Sequence, residues 1–123
     1  MKTKIIFVTI AVILLVLPAI NWAKEKSLTP GEEAGLRLLA LQSKGYITIS
    51  LGDPSTFILV EPKAWQVMMH KDKVNLCRLA VTYVRELNHK DGSKREFVFL
   101  QDMTSRKDLG RGFIQTGTIE IFK

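Results

Sequence analysis

Chemistry in this sequence would have to start from a few side chains. Cys77 is the single thiol among 123 residues, and His70 and His89 are the two imidazoles. A nucleophilic cysteine needs a neighbour that stabilises its thiolate. Arg78 follows Cys77 directly, but consecutive residues of a helix point to different faces. The setting Val74-Asn-Leu-Cys-Arg-Leu-Ala80 suits a small buried apolar residue better. His70, Cys77 and His89 do not match a compact zinc spacing, and no fourth ligand accompanies them. His70 and Asp72 would make an orienting pair for acid–base work only with a nucleophile tied to them, and none is. Gly110-Arg-Gly112 with Gly117 is neither the P-loop spacing nor G-x-G-x-x-G, and no helix follows to lend its dipole. Glycines in that pattern are expected to permit a bulge or tight turn in a strand. No catalytic, cofactor or metal set is expected.

The basic residues Lys94, Arg95, Arg106, Lys107 and Arg111 are the group with most to offer. If the strands on either side of residues 102–107 pair, these charges gather near the ends of a hairpin. An anionic partner could dock there, such as lipid headgroups, a cell-wall polymer or an acidic protein surface. Glu96, Asp102 and Asp108 are interleaved and dilute the patch, so a solvated face is the competing reading. Binding single-stranded nucleic acid would need exposed stacking rings. Phe97 and Phe99 read as strand residues of a sheet with at least one covered face, and nucleic acid is not an expected partner.

Something must deliver and position these groups. Residues 1–23 run Met-Lys-Thr-Lys, then an almost wholly apolar Ile5 to Leu17, then Pro18-Ala-Ile-Asn-Trp-Ala23. This is the layout of secretory signals as a class. The apolar run is 13 residues, roughly 20 Å of helix at about 1.5 Å per residue. That is short of a bilayer core of about 30 Å. Extending it to Ala23 crosses Pro18 and Asn21. Cleavage after Ala23 places Asn21 where a small residue is preferred, so a cleaved signal and a retained membrane anchor both remain open. No cysteine follows the apolar run, which closes the lipoprotein route. The expected location is exported, periplasmic or extracellular, or else membrane-anchored with the domain outside the cytoplasm.

The chain carries a net charge of +6, and the lead accounts for two of those charges through Lys2 and Lys4, leaving +4 on the rest. Its mean hydropathy of +0.10 owes much to the lead. One cysteine allows no internal disulfide. About 100 residues beyond the lead are enough for one self-sufficient core.

Residues 24–29 read as a linker, and residues 30–123 as one α+β domain. Thr29-Pro30-Gly-Glu-Glu33 is a helix start, with threonine as cap, proline at the first turn and acids behind it. A helix is expected over about 30–43, with Leu36, Leu39 and Ala40 as its apolar face and Gly35 as a weak point. Tyr46–Ser50 and Phe57–Val60 form a hairpin about the turn Gly52-Asp-Pro-Ser55. From Pro62, Trp65, Met68, Met69, Leu76, Leu79, Ala80, Tyr83, Val84 and Leu87 recur in steps of three and four. They mark one face of a long helix that either runs unbroken over about 62–88 or breaks near His70–Lys73, with Asp72 then capping its second part. Residues 88–94 form the exit loop. Glu96–Gln101, Leu109–Gln115 and Gly117–Phe122 supply the remaining strands. The fold expected is a small mixed or antiparallel sheet of four to five strands packed against the long helix, with Trp65 and the Met68–Met69 pair anchoring that contact.

The function expected is a non-enzymatic binding or interaction module of the cell envelope, meeting a protein or an anionic envelope component. Two rivals stand beside it: a membrane-tethered accessory subunit of a larger envelope complex, and a small thiol-dependent enzyme using Cys77 or His70.

Overall fold

A computed structural model describes residues 27–123. The lead segment, with the signal or anchor expected there, lies outside them. Three helices and five strands follow in the order α1 (Pro30–Ser43), β1 (Ile47–Ser50), β2 (Ser55–Val60), α2 (Pro62–Val67), α3 (His70–Asp91), β3 (Phe97–Asp102), β4 (Asp108–Phe113) and β5 (Ile119–Ile121). The protein is therefore α+β with a mixed five-stranded sheet. Spatial strand order equals chain order. Neighbours are antiparallel except β2 and β3, which run parallel. A parallel pair needs a crossover, and α2 with α3 supplies it.

All three helices feed one core. Leu38 and Leu41 of α1, Ala64 of α2, and Leu76, Cys77, Ala80, Val81 and Val84 of α3 meet Ile47, Ile58, Val60, Val98 and Leu100 of the sheet. These strand residues alternate along the chain, so they lie on one face, while Leu59 of β2 is buried on the other. Thr56 is the one polar side chain buried on the helix-covered face, and its hydroxyl is satisfied by donating to the Gly52 carbonyl. Among the described residues no helix is long and apolar enough to cross a membrane.

Helix α1 begins where its capping residues place it. The Thr29 hydroxyl accepts from the Glu32 N–H at 3.1 Å, and the Glu32 carboxylate accepts from the Thr29 N–H at 3.0 Å. Its buried face differs from the one expected. Ala34, Leu38 and Leu41 go inward with Gly31 and Gly35, while Leu36 and Leu39 stay exposed. The glycines decide this, because α3 crosses so close that only they fit. A Cβ on Gly35 would lie 2.8 Å from the Tyr83 ring. Gly35 is thus a contact and not a weak point.

The long helical region does break, but two residues ahead of His70. Met68 and Met69 are extended between α2 and α3, and His70–Lys73 are already helical. Asp72 does not cap from outside. It sits in the first turn of α3 and accepts from the Met69 N–H at 3.3 Å. Of the methionine pair, Met68 anchors in the core while Met69 is 64% exposed. The exit loop is shorter than expected, since α3 runs to Asp91 and stops at Gly92, whose φ of +75° is the left-handed conformation glycine favours. His89 is therefore helical.

Gly110 and Gly112 answer the phosphate-loop question. They lie on the covered face of β4, Gly112 directly under α3 and Gly110 against β5, where a Cβ would be 2.8 Å from the Glu120 carbonyl oxygen. A Cβ on Gly112 would be 2.4 Å from Val81 Cγ2 and 3.1 Å from Cys77 Sγ. Gly112 lets helix and sheet approach, and Gly110 lets β5 close on β4. The register shift of the β3–β4 ladder falls elsewhere, at Leu100/Gln101.

Cys77 is wholly buried, and burial pushes its thiol up to about 12, with Arg78 pulling only weakly the other way. An ordinary cysteine thiol ionises near pH 8.5. Native protein at about that pH should label with a soluble thiol reagent only as fast as it unfolds, and denatured protein at once. Stoichiometric labelling of native protein ahead of unfolding would revive the thiol-dependent rival.

Candidate binding site

With the helices on one face of the sheet, the strands' other side chains stand on a face that no described helix covers. Phe57 of β2, Phe97 and Phe99 of β3, and Phe113 of β4 lie there, each half-buried. Their rings touch in sequence across the strands. Phe113 meets Phe97 edge-on at 5.5 Å between centroids, Phe97 meets Phe99 at 6.0 Å, and Phe99 stacks on Phe57 at 5.7 Å. Such pairs contribute about 0.5–1.5 kcal/mol each beyond their buried area. Arg111, between Phe113 and Phe122 on the same face, lies 5.1 Å and 5.9 Å from their ring centres. It also donates to Glu120 on the neighbouring strand at 2.7 Å.

The end of the ribbon at Phe97 and Phe113 opens into a cleft of about 590 Å³. Its walls are the last turns of α3, the segment 93–96 and the segment 114–116. Arg85, Lys94 and Arg95 line it against a single lining carboxylate, Glu96. Arg85 donates through Nε and Nη2 to the Ile114 carbonyl at 3.1 and 2.6 Å. Arg95 is held more firmly. Its backbone N–H donates to Asn88 Oδ1, its carbonyl accepts from Asn88 Nδ2, and its guanidinium reaches Asn88 and Asp91. The Arg95 guanidinium, then the Ser93 N–H, pull the Asp91 carboxyl down to about 2. Arg95 Nε is buried without a hydrogen-bond partner among the described residues.

The five basic residues expected to gather do so only in part. Lys94 and Arg95 stand together at the cleft. Arg106 and Lys107 lie in the β3–β4 turn at the opposite end of the strands, roughly 20 Å away for a six-residue strand. That turn is tied internally: Asp102 accepts from the Thr104 and Ser105 N–H groups, both at 2.8 Å, and these bonds, Ser105's foremost, hold its carboxyl below the usual range. Arg111 sits between the two ends with its charge matched by Glu120. Reasoning from sequence missed Arg85 and Asn88, which read only as polar positions of a helix. It also assigned Phe97 and Phe99 to a sheet without telling which face was open. Among the described residues no cluster of histidine, cysteine and acidic side chains could hold a metal ion.

No protein-family model, no curated protein and no solved structure matches this chain.

Proposed function

We propose that this protein is a non-enzymatic binding module, delivered across a membrane by residues 1–23 and working in the cell envelope, that meets a protein or an anionic envelope component through the open face of its sheet. The reading is carried by the phenylalanine ribbon. Four touching rings on an uncovered sheet face are a contiguous apolar surface, and such surfaces mark interaction sites. The cationic cleft at the end of the ribbon favours a partner with negative charge. Burial of Cys77, with its thiol held protonated, argues against the thiol-dependent rival.

A photoreactive phenylalanine analogue tests this in the native envelope. Placed at position 99 on the ribbon, it should give discrete crosslinks. Placed at exposed position 78 on α3, it should give none. Equal crosslinking from both positions, or none from position 99, would remove the reading.

A further inference from the structure

We infer that the ligand of this site is an anionic amphiphile, with a carboxylate or phosphate-monoester head in the cleft and a hydrocarbon chain along the phenylalanine ribbon; the inference rests on the open face being the binding surface. The cleft's volume of about 590 Å³ is that of a small-molecule site. Its cations are prepared for an anion. Arg85 uses its donors on a neutral carbonyl, and no carboxylate lies within ion-pair distance of it or of Lys94 among the described residues. Arg95 is pinned by Asn88 and Asp91, so its position needs no ordering when a ligand arrives. Its charge is already matched by the Asp91 carboxylate at 3.0 Å, so Arg85 and Lys94 are the two cations of the cleft left for a ligand.

The apolar part of the ligand follows from connectivity. Phe97 and Phe113 line the cleft and are also the first rings of the ribbon. An anion seated among the cations therefore projects whatever it carries onto Phe97, then Phe99, then Phe57. What lies there must be apolar and need no hydrogen bonds. The ribbon is on the face of the sheet, and the strand N–H and C=O groups point sideways into the ladders. A peptide tail laid across the rings would leave its own amides facing apolar surface, and each one unpaired opposes binding. A hydrocarbon chain has none to lose, and each methylene it buries favours binding.

The test is calorimetric titration of the exported protein, carrying whatever it retains of residues 1–23, with dodecanoate and dodecyl phosphate below their micellar concentrations. Inorganic phosphate, butyrate and dodecanol serve as controls. Both twelve-carbon anions should bind, each at least about tenfold more tightly than any control, since dodecanol lacks the charge-assisted contact and phosphate and butyrate lack the chain. Lys94→Glu, at an exposed position, should weaken both anions about tenfold and leave dodecanol unchanged. Arg85→Gln gives a second reading should Lys94→Glu disturb its loop. Phosphate binding as tightly as dodecyl phosphate would reduce the cleft to an ion site and overturn the inference. Dodecanol matching dodecanoate would remove the cleft's role. Absence of any binding, with crosslinks still arising from position 99, would overturn the amphiphile while leaving the open face as a binding surface. Absence of both would remove the two together.

Discussion

Gly112→Ala is expected to destabilise the fold by about 2–3 kcal/mol, the upper range of overpacking penalties. Strand propensity argues for the opposite sign, because glycine inside a strand is ordinarily worse than alanine by roughly 0.5–1 kcal/mol. The difference comes from α3. The new Cβ would be 2.4 Å from Val81 Cγ2 and 3.1 Å from Cys77 Sγ, and both neighbours belong to the wholly packed face of the helix. Neither side chain can swing away without leaving the core. A domain of this size has about 5–15 kcal/mol to lose, so a sizeable fraction of its stability depends on one missing methyl. Denaturant unfolding of a double-mutant cycle makes the claim specific. Val81→Ala alone should cost about 1.6 kcal/mol for two buried carbons. Combined with Gly112→Ala it should cost at least 1 kcal/mol less than the two single changes together, because the added methyl then occupies the space vacated. Additivity within about 0.5 kcal/mol would mean that helix and strand do not meet there.

The same contact explains what sequence could and could not reveal. Element bounds were readable where chemistry is local. Thr29-Pro30 announced α1, and alternation announced β1 and β5. The open face was not readable, because β3 is apolar on both sides: Phe97 and Phe99 alternate with Val98 and Leu100. The deciding information sits on the next strand. Gly110 and Gly112 stand in register with Leu100 and Val98, and two glycines at strand spacing are the mark of a face another backbone presses against. Taken as such, they assign the valine–leucine side to the helix and the phenylalanine side to solvent. The cleft offered no comparable signal. Arg85 and Asn88, segment 93–96 and segment 114–116 come together only when β4 returns beside β3 and α3 lies over both. The break at Met68–Met69 was misplaced because His70-Lys-Asp-Lys looks polar enough to be a turn, whereas on the solvent side of a helix polar residues are in place.

Helix α1 supplies a second change whose sign propensity alone would get wrong. In a helix, Gly→Ala ordinarily gains about 1 kcal/mol. Gly31→Ala should instead lose about 2 kcal/mol by thermal or denaturant unfolding, and Gly35→Ala about 1 kcal/mol. The two glycines sit one turn apart on the face that crosses α3, with Ala34 and Leu38 between and beyond them. At Gly35 the obstacle is the Tyr83 ring at 2.8 Å, a side chain that can rotate partly aside. At Gly31 the obstacle is Glu86 Cβ, 2.2 Å from the ideal methyl position, an atom fixed to the backbone of α3. Relief there requires α1 itself to move, which would also part the Thr29–Glu86 hydrogen bond of 2.8 Å and the Lys90–Glu32 ion pair of 3.1 Å that straddle the crossing. Those exposed contacts contribute little by themselves, so the penalty is steric. Glu86→Ala distinguishes the two sites. Alanine keeps the offending Cβ, so Gly31→Ala should stay destabilising in that background, whereas Tyr83→Ala should abolish the penalty of Gly35→Ala. A Gly31→Ala protein as stable as its parent would mean that α1 does not cross α3 at this distance, and that the face carrying Leu36 and Leu39 is available to turn inward after all.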